Sequence, residues 1–123
     1  MLDHLGLQVS DYEDSKRFFA ASLAPLGYEI LAEFGGATAG FGAPPKPDFW
    51  IARGQPSGAA HVAFRCEDRA TVDAFHRAGL AAGGKDNGAP GLRPIYHEHY
   101  YGAFVLDPDG HNIEAVCHRP EQA

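Results

Sequence analysis

Glu114 stands in the middle of Asn112–Val116, NIEAV, a run led by the strong β formers Ile113 and Val116. Alternation along a strand puts Ile113, Ala115 and Cys117 on one face and Asn112, Glu114 and Val116 on the other. A lone carboxylate in mid-strand needs water, a cation or a metal ion to offset its desolvation. A second concentration of reactive side chains precedes it. Pro94–Tyr101, PIYHEHYY, holds three tyrosines, two histidines and a glutamate. A histidine there can serve as general acid or base near neutral pH, and a tyrosine can donate a hydrogen bond to a bound oxyanion. Arg93, just before this run, can meet an anionic group. Trp50, the only tryptophan, offers a stacking wall if it faces the site, and packs under the first helix if Ile51 faces it instead.

The elements that must position these residues are readable in order. Ala103–Leu106 and Asn112–Val116 form a hairpin around Asp107-Pro108-Asp109-Gly110, where Pro presets φ, the acids accept local backbone bonds and Gly tolerates positive φ. At the other end, Leu5, Leu7 and Val9 alternate with His4, Gly6 and Gln8. Ser10 or Asp11 caps a helix whose first turn carries Glu13 and Asp14, favoured there by the helix dipole. Phe18, Phe19, Ala21 and Leu23 make its apolar side, and Pro25 and Gly27 end it. Strands follow at Tyr28–Phe34, Thr38–Gly42 and Asp48–Arg53. Lys85–Arg93, KDNGAPGLR, is rich in turn formers and reads as a mobile flap. His76 and Arg77 fall on a solvated helix face, and His111 and His118 have no evident partners.

The pattern repeats. Shifted by 57 residues, His4 meets His61, Asp11 meets Asp68, Phe18 meets Phe75, Leu23 meets Leu80 and Gly27 meets Gly84. Such a repeat means two copies of one supersecondary unit. Each copy reads β-α-β-β-β, which predicts an α+β fold of two tandem modules, about 1–56 and about 57–119, in one domain over 1–123. Each helix covers one face of a small curved mixed sheet, so the helices lie outside. The other faces form a cup lined by His4, His61 and Glu114, with Phe104 and the tyrosines as aromatic wall.

The 123 residues, 45% of them hydrophobic, suffice for a real core. A net charge of −6 argues against nucleic acid and anionic membrane as partners. No apolar run approaches a membrane span, and Met1 leads directly into strand-like sequence, so a cytoplasmic location is expected. Cys66 and Cys117 lie in apolar strand patterns without a CxxC motif and are expected as buried free thiols.

The opening LDHLGLQVSDYEDSKRFF, the second opening AAHVAFRCEDRATVDAF and the closing YYGAFVLDPDGHNIEAV resemble the vicinal oxygen chelate superfamily. This group includes glyoxalase I, extradiol dioxygenases, and the fosfomycin and bleomycin resistance proteins. The resemblance implies a divalent ion (Fe, Mn, Ni or Zn) held by His4, His61 and Glu114. The family's fourth position falls at Trp50 or Ile51, neither of which can ligate. It also implies that Tyr96, His97 and Tyr100 line the cavity mouth with catalytic roles, while His99 is exposed. The expected activity is lyase, isomerase or dioxygenase chemistry on a small vicinal-oxygen substrate, in a homodimer. The alternative is a metal-free protein that binds a drug or metabolite between aromatic walls.

Overall fold

A computed structural model of the chain describes residues 1–121. The first module runs β1 (Leu5–Val9), α1 (Tyr12–Leu23), a single 3-10 turn (Ala24–Leu26), β2 (Glu29–Phe34), β3 (Thr38–Gly42) and β4 (Phe49–Arg53). The second runs β5 (His61–Arg65), α2 (Arg69–Ala81), β6 (Lys85–Leu92), β7 (Tyr101–Leu106) and β8 (Asn112–Cys117). Each module makes a four-stranded sheet, in the orders β1-β4-β3-β2 and β5-β8-β7-β6. In each, the first and last strands pair in parallel and the others antiparallel. The expected α+β architecture of two β-α-β-β-β units is therefore the observed one, with both sheets open.

The local signals act as the sequence implies. The Asp11 carboxylate accepts from Asp14 N at 3.1 Å to start α1, and the Asp68 carboxylate accepts from Thr71 N at 2.8 Å to start α2. Gly27 takes φ 83° after the 3-10 turn, a left-handed conformation that favours glycine. Phe18, Phe19 and Leu23 of α1 pack on Phe41, Phe49 and Ile51, while Val72 and Phe75 of α2 share a cluster with Val105, Ile113 and Ala115. One core joins the modules. The helices pack on one another, and the rings of Phe49 and Phe64 meet edge-on at 5.3 Å. Cys66 and Cys117 are buried free thiols, as expected, and burial pushes the Cys66 thiol up to about 12.

Four expectations are corrected. Lys85–Leu92 is no flap but β6, an edge strand on β7 with irregular pairing at Asp86/Gly88 and Gly88/Gly91. Its Gly and Pro weaken it as a strand, but β7 needs a partner on its outer side, and a bulged edge strand tolerates both residues. His76 is not solvated: it is buried and lies 2.9 Å from Asp86 of β6, because that strand covers the helix face. Leu5, expected on the helix-covered face with Leu7 and Val9, is 37% exposed as the first residue of β1. His111 is buried and does have partners: its Nδ1 accepts from Ala60 N at 2.9 Å and its Nε2 lies 3.4 Å from Gln8 O.

Gly84 sits where the two modules meet. A Cβ there would lie 2.5 Å from Val105 Cγ1, 2.6 Å from Phe18 Cε1 and 2.8 Å from Gly79 O. Gly6 faces open space, with nothing within 4 Å of a Cβ. Gly84→Ala is expected to lower the urea midpoint by the equivalent of about 1–3 kcal/mol through overpacking. Gly6→Ala should change stability by no more than about 0.5–1 kcal/mol, with any change towards greater stability.

Candidate functional site

The uncovered face of the second sheet gathers most of the reactive residues. Glu114 lies centrally on β8, opposite Ala63 of β5 and Phe104 of β7. Its side chain is only 3% exposed. One carboxylate oxygen, Oε1, is 2.8 Å from His61 Nε2, and the other accepts from the Tyr100 hydroxyl. Gly102 makes this possible: a Cβ there would come within 3.2 Å of the Tyr100 ring and 3.3 Å of Glu114 Oε2. Burial, followed by the hydrogen bond to Glu114, raises the Tyr100 pKa well above its ordinary value, so the phenol stays a neutral donor.

His61 is half exposed, with its free side open to solvent. Its Nδ1 lies 3.3 Å from the Asn112 side-chain amide, which also contacts Asn87 at 3.2 Å. An amide can present either NH2 or oxygen to the ring. With its NH2 towards Nδ1, as here, Nε2–H donates to Glu114; with its oxygen turned to Nδ1–H, Nε2 would offer its lone pair to an ion that replaces that hydrogen bond. The Phe104 ring stands edge-on to His61 with centroids 6.3 Å apart.

The Pro94–Tyr100 run is a pair of tight turns, closed by Arg93 N donating to Tyr100 O at 2.8 Å. It brings the three expected catalytic residues together: the Tyr100 ring lies 4.8 Å from Tyr96 and 5.5 Å from His97. It also exposes a residue that the sequence reading missed. His118 Nδ1 is 2.9 Å from His97 Nε2, and its ring is edge-on to Tyr100 at 5.3 Å. The signal was available, because alternation along β8 extends Asn112, Glu114 and Val116 to His118 on the same side. His99 N donates to His97 Nδ1 at 3.1 Å, so a neutral His97 carries its proton on Nε2 and donates it towards His118.

The first sheet holds the other expected residues. Phe49 and Ile51 are buried in the core, which puts Trp50 on the uncovered side; its ring stacks on Phe34 at 6.0 Å and lies over Gly40. His4 is exposed, with Nδ1 2.7 Å from Asp3, at the lip of a cleft of about 190 Å³ floored by Leu5, Phe49, Val62 and Phe64. Within the chain His4 does not join His61 and Glu114. Among the described residues, one trio of His, Cys, Asp or Glu has ligand atoms within 4.8 Å of one another: Asp107, Asp109 and His111. All of its groups but the second Asp107 oxygen are already engaged. Asp107 Oδ1 accepts from the backbone of Asp109 and His111, Asp109 accepts from Ser10, and both His111 nitrogens have partners.

Residues 1–115 match the family described as the Glyoxalase/Bleomycin resistance protein/Dioxygenase superfamily. The chain belongs to that superfamily. It is similar to a crystal structure of a glyoxalase/bleomycin resistance protein from Albidiferax ferrireducens T118, at 32% identity and TM-score 0.81, over 98% of this chain and 99% of that one. Its fold is shared by a glyoxalase-related enzyme from Fulvimarina pelagi (20% identity, TM-score 0.72, 95% of this chain and 87% of that one). The fosfomycin resistance protein FosX from Mesorhizobium loti also shares it (18% identity, TM-score 0.69, 95% and 91%). No curated protein matches the chain. The superfamily includes enzymes that act on small molecules. No described helix is long and apolar enough to cross a membrane.

The raised Tyr100 pKa has a stability consequence. A phenol whose folded pKa exceeds its unfolded value stabilises fully below about 10, and that contribution is lost as pH rises towards the folded value. Tyr12 and Tyr101, each raised to about 12 mainly by burial, add in the same direction. Raising the pH from about 9 to about 11 is expected to lower the urea midpoint, and Tyr100→Phe to make that fall shallower.

Proposed function

We propose that this glyoxalase-like chain is a small metal-dependent enzyme acting on a substrate with two neighbouring oxygens. The observation that carries the reading is the pairing of a buried carboxylate, Glu114, with the half-exposed imidazole of His61 at 2.8 Å on an uncovered sheet face. Nitrogen and carboxylate donors suit Fe(II), Mn(II), Ni(II) or Zn(II). His61 and Glu114 would hold the ion, and the reading assigns the third donor, His4, to a second copy of the chain in a homodimer. When bound, such an ion acts as a Lewis acid towards vicinal oxygens, in lyase, isomerase or dioxygenase chemistry.

The remaining residues have separate tasks. Asn112 orients the His61 ring. Tyr100 keeps its proton and steadies Glu114 Oε2 through it. Both nitrogens of His97 are engaged, so His97 acts as a positioning residue: it fixes His118 with its proton on Nε2. Trp50 supplies a stacking wall on the first sheet, whose leading strand His4 precedes. A second reading, a metal-free binding protein, is favoured by one fact: both Glu114 oxygens already have partners.

Plasma emission on tag-free protein, reconstituted with each of the four ions, separates the two readings. About one ion per chain is expected, with occupancy well below that in His61→Ala and in Glu114→Gln. Asn112→Ala should weaken metal affinity by about 10–100-fold, and binding should weaken in mild acid because ligation needs a neutral imidazole. No metal with any ion contradicts the proposal and favours the binding protein.

A further inference from the structure

The face that carries Glu114 also carries a cation with no task so far. The Arg93 guanidinium lies over the Phe104 ring, 5.4 Å from its centroid, and one Nη donates to Ala89 O at 2.8 Å. Two glycines leave room for it: a Cβ at Gly88 would come within 3.2 Å of Nη2, and one at Gly91 within 3.2 Å of Nη1. Among the described residues no carboxylate lies within 4.0 Å of it. Arg53, Arg65, Arg77 and Lys85 also lack one, but all four are exposed, whereas Arg93 is half-buried and held by a ring and a carbonyl. A guanidinium has five N–H groups in a planar fork; with Nη2 donating to Ala89 O and Nη1 to Leu92 O at 3.5 Å, three remain free. Phe104 is the cross-strand neighbour of Glu114, and its ring meets His61 edge-on. Phe104 thus stands between Arg93 and the His61–Glu114 pair.

We propose that Arg93 is an anion subsite and that the substrate is a carboxylate, with its charged group about one aromatic ring's width from the oxygens that meet His61 and Glu114. The choice of substrate class rests on the metal-dependent reading of that pair; the subsite does not. A fixed guanidinium matches a carboxylate bidentately. One half-buried cation, set across Phe104 from Glu114 on a chain of net charge −6, suits a monoanion better than a phosphate or phosphonate dianion.

The test is calorimetric titration of the full-length protein, metal-loaded and metal-free, with 4-(hydroxyacetyl)benzoate, its neutral carboxamide and the corresponding phosphonate. Wild type is expected to bind the benzoate at least about tenfold more tightly than the carboxamide. Arg93→Met should abolish that preference and Arg93→Lys keep part of it, with carboxamide affinity and metal content unchanged. Equal binding of acid and amide, no binding of either, or a preference that survives Arg93→Met would overturn the subsite. Arg93-dependent binding that favours the phosphonate would overturn the carboxylate assignment. A preference kept in protein that takes up no metal would leave the subsite standing and remove the metal-dependent reading; metal uptake without a preference would do the reverse.

Discussion

The structure depends on burying the carboxyl group of Glu114 in the middle of a strand. An ionised carboxylate removed from water is costly unless hydrogen-bonded donors replace its solvent. Here His61 meets one oxygen and Tyr100 the other. Several otherwise unrelated features serve this arrangement. Gly102 keeps the strand bare where Tyr100 passes, the turns of 94–100 bring Tyr100 back over the sheet, and β5 pairs in parallel with β8 so that His61 stands beside the carboxylate. Side chains that solve a folding problem are thereby grouped as a reactive cluster facing solvent.

The closing hairpin also fastens the modules to each other. Asp107 organises the turn by accepting two backbone N–H groups on one oxygen, while its second oxygen is buried without a partner. Burial raises its pKa. Asp109 then holds Ser10 at the end of β1, and His111 bridges Ala60 and Gln8. The position of β8, and of Glu114 on it, is therefore set from both modules. This explains why an acidic turn with a histidine resembles a cation site while most of its polar atoms hold the chain together.

The fold was legible because its signals are local and occur twice. Asp11 and Asp68 cap, the apolar face of each helix follows, and a glycine ends each unit. Strand alternation put Glu114 on the uncovered face and Ile113 and Ala115 in the core, and both are where period two places them. The edge strand β6 was not legible: KDNGAPGL has poor strand propensity, and its pairing is imposed by β7, a non-local partner. Trp50 needed a register that only the parallel pairing with β1 supplies, and Tyr100 needed Gly102, whose role appears only once both are in space. The separation of His4 from His61 and Glu114 depends on how the two sheets are set, which a repeat in sequence does not encode.

The most direct test of the account is X-ray absorption at the metal edge of the reconstituted protein, for wild type, His61→Ala and Glu114→Gln. The account expects imidazole and carboxylate donors in the wild-type shell. One imidazole should be lost in His61→Ala, and the imidazole count should be unchanged in whatever metal Glu114→Gln retains. A shell that neither substitution alters would put the ion elsewhere and contradict the claim that Glu114 and His61 form the working centre of this face.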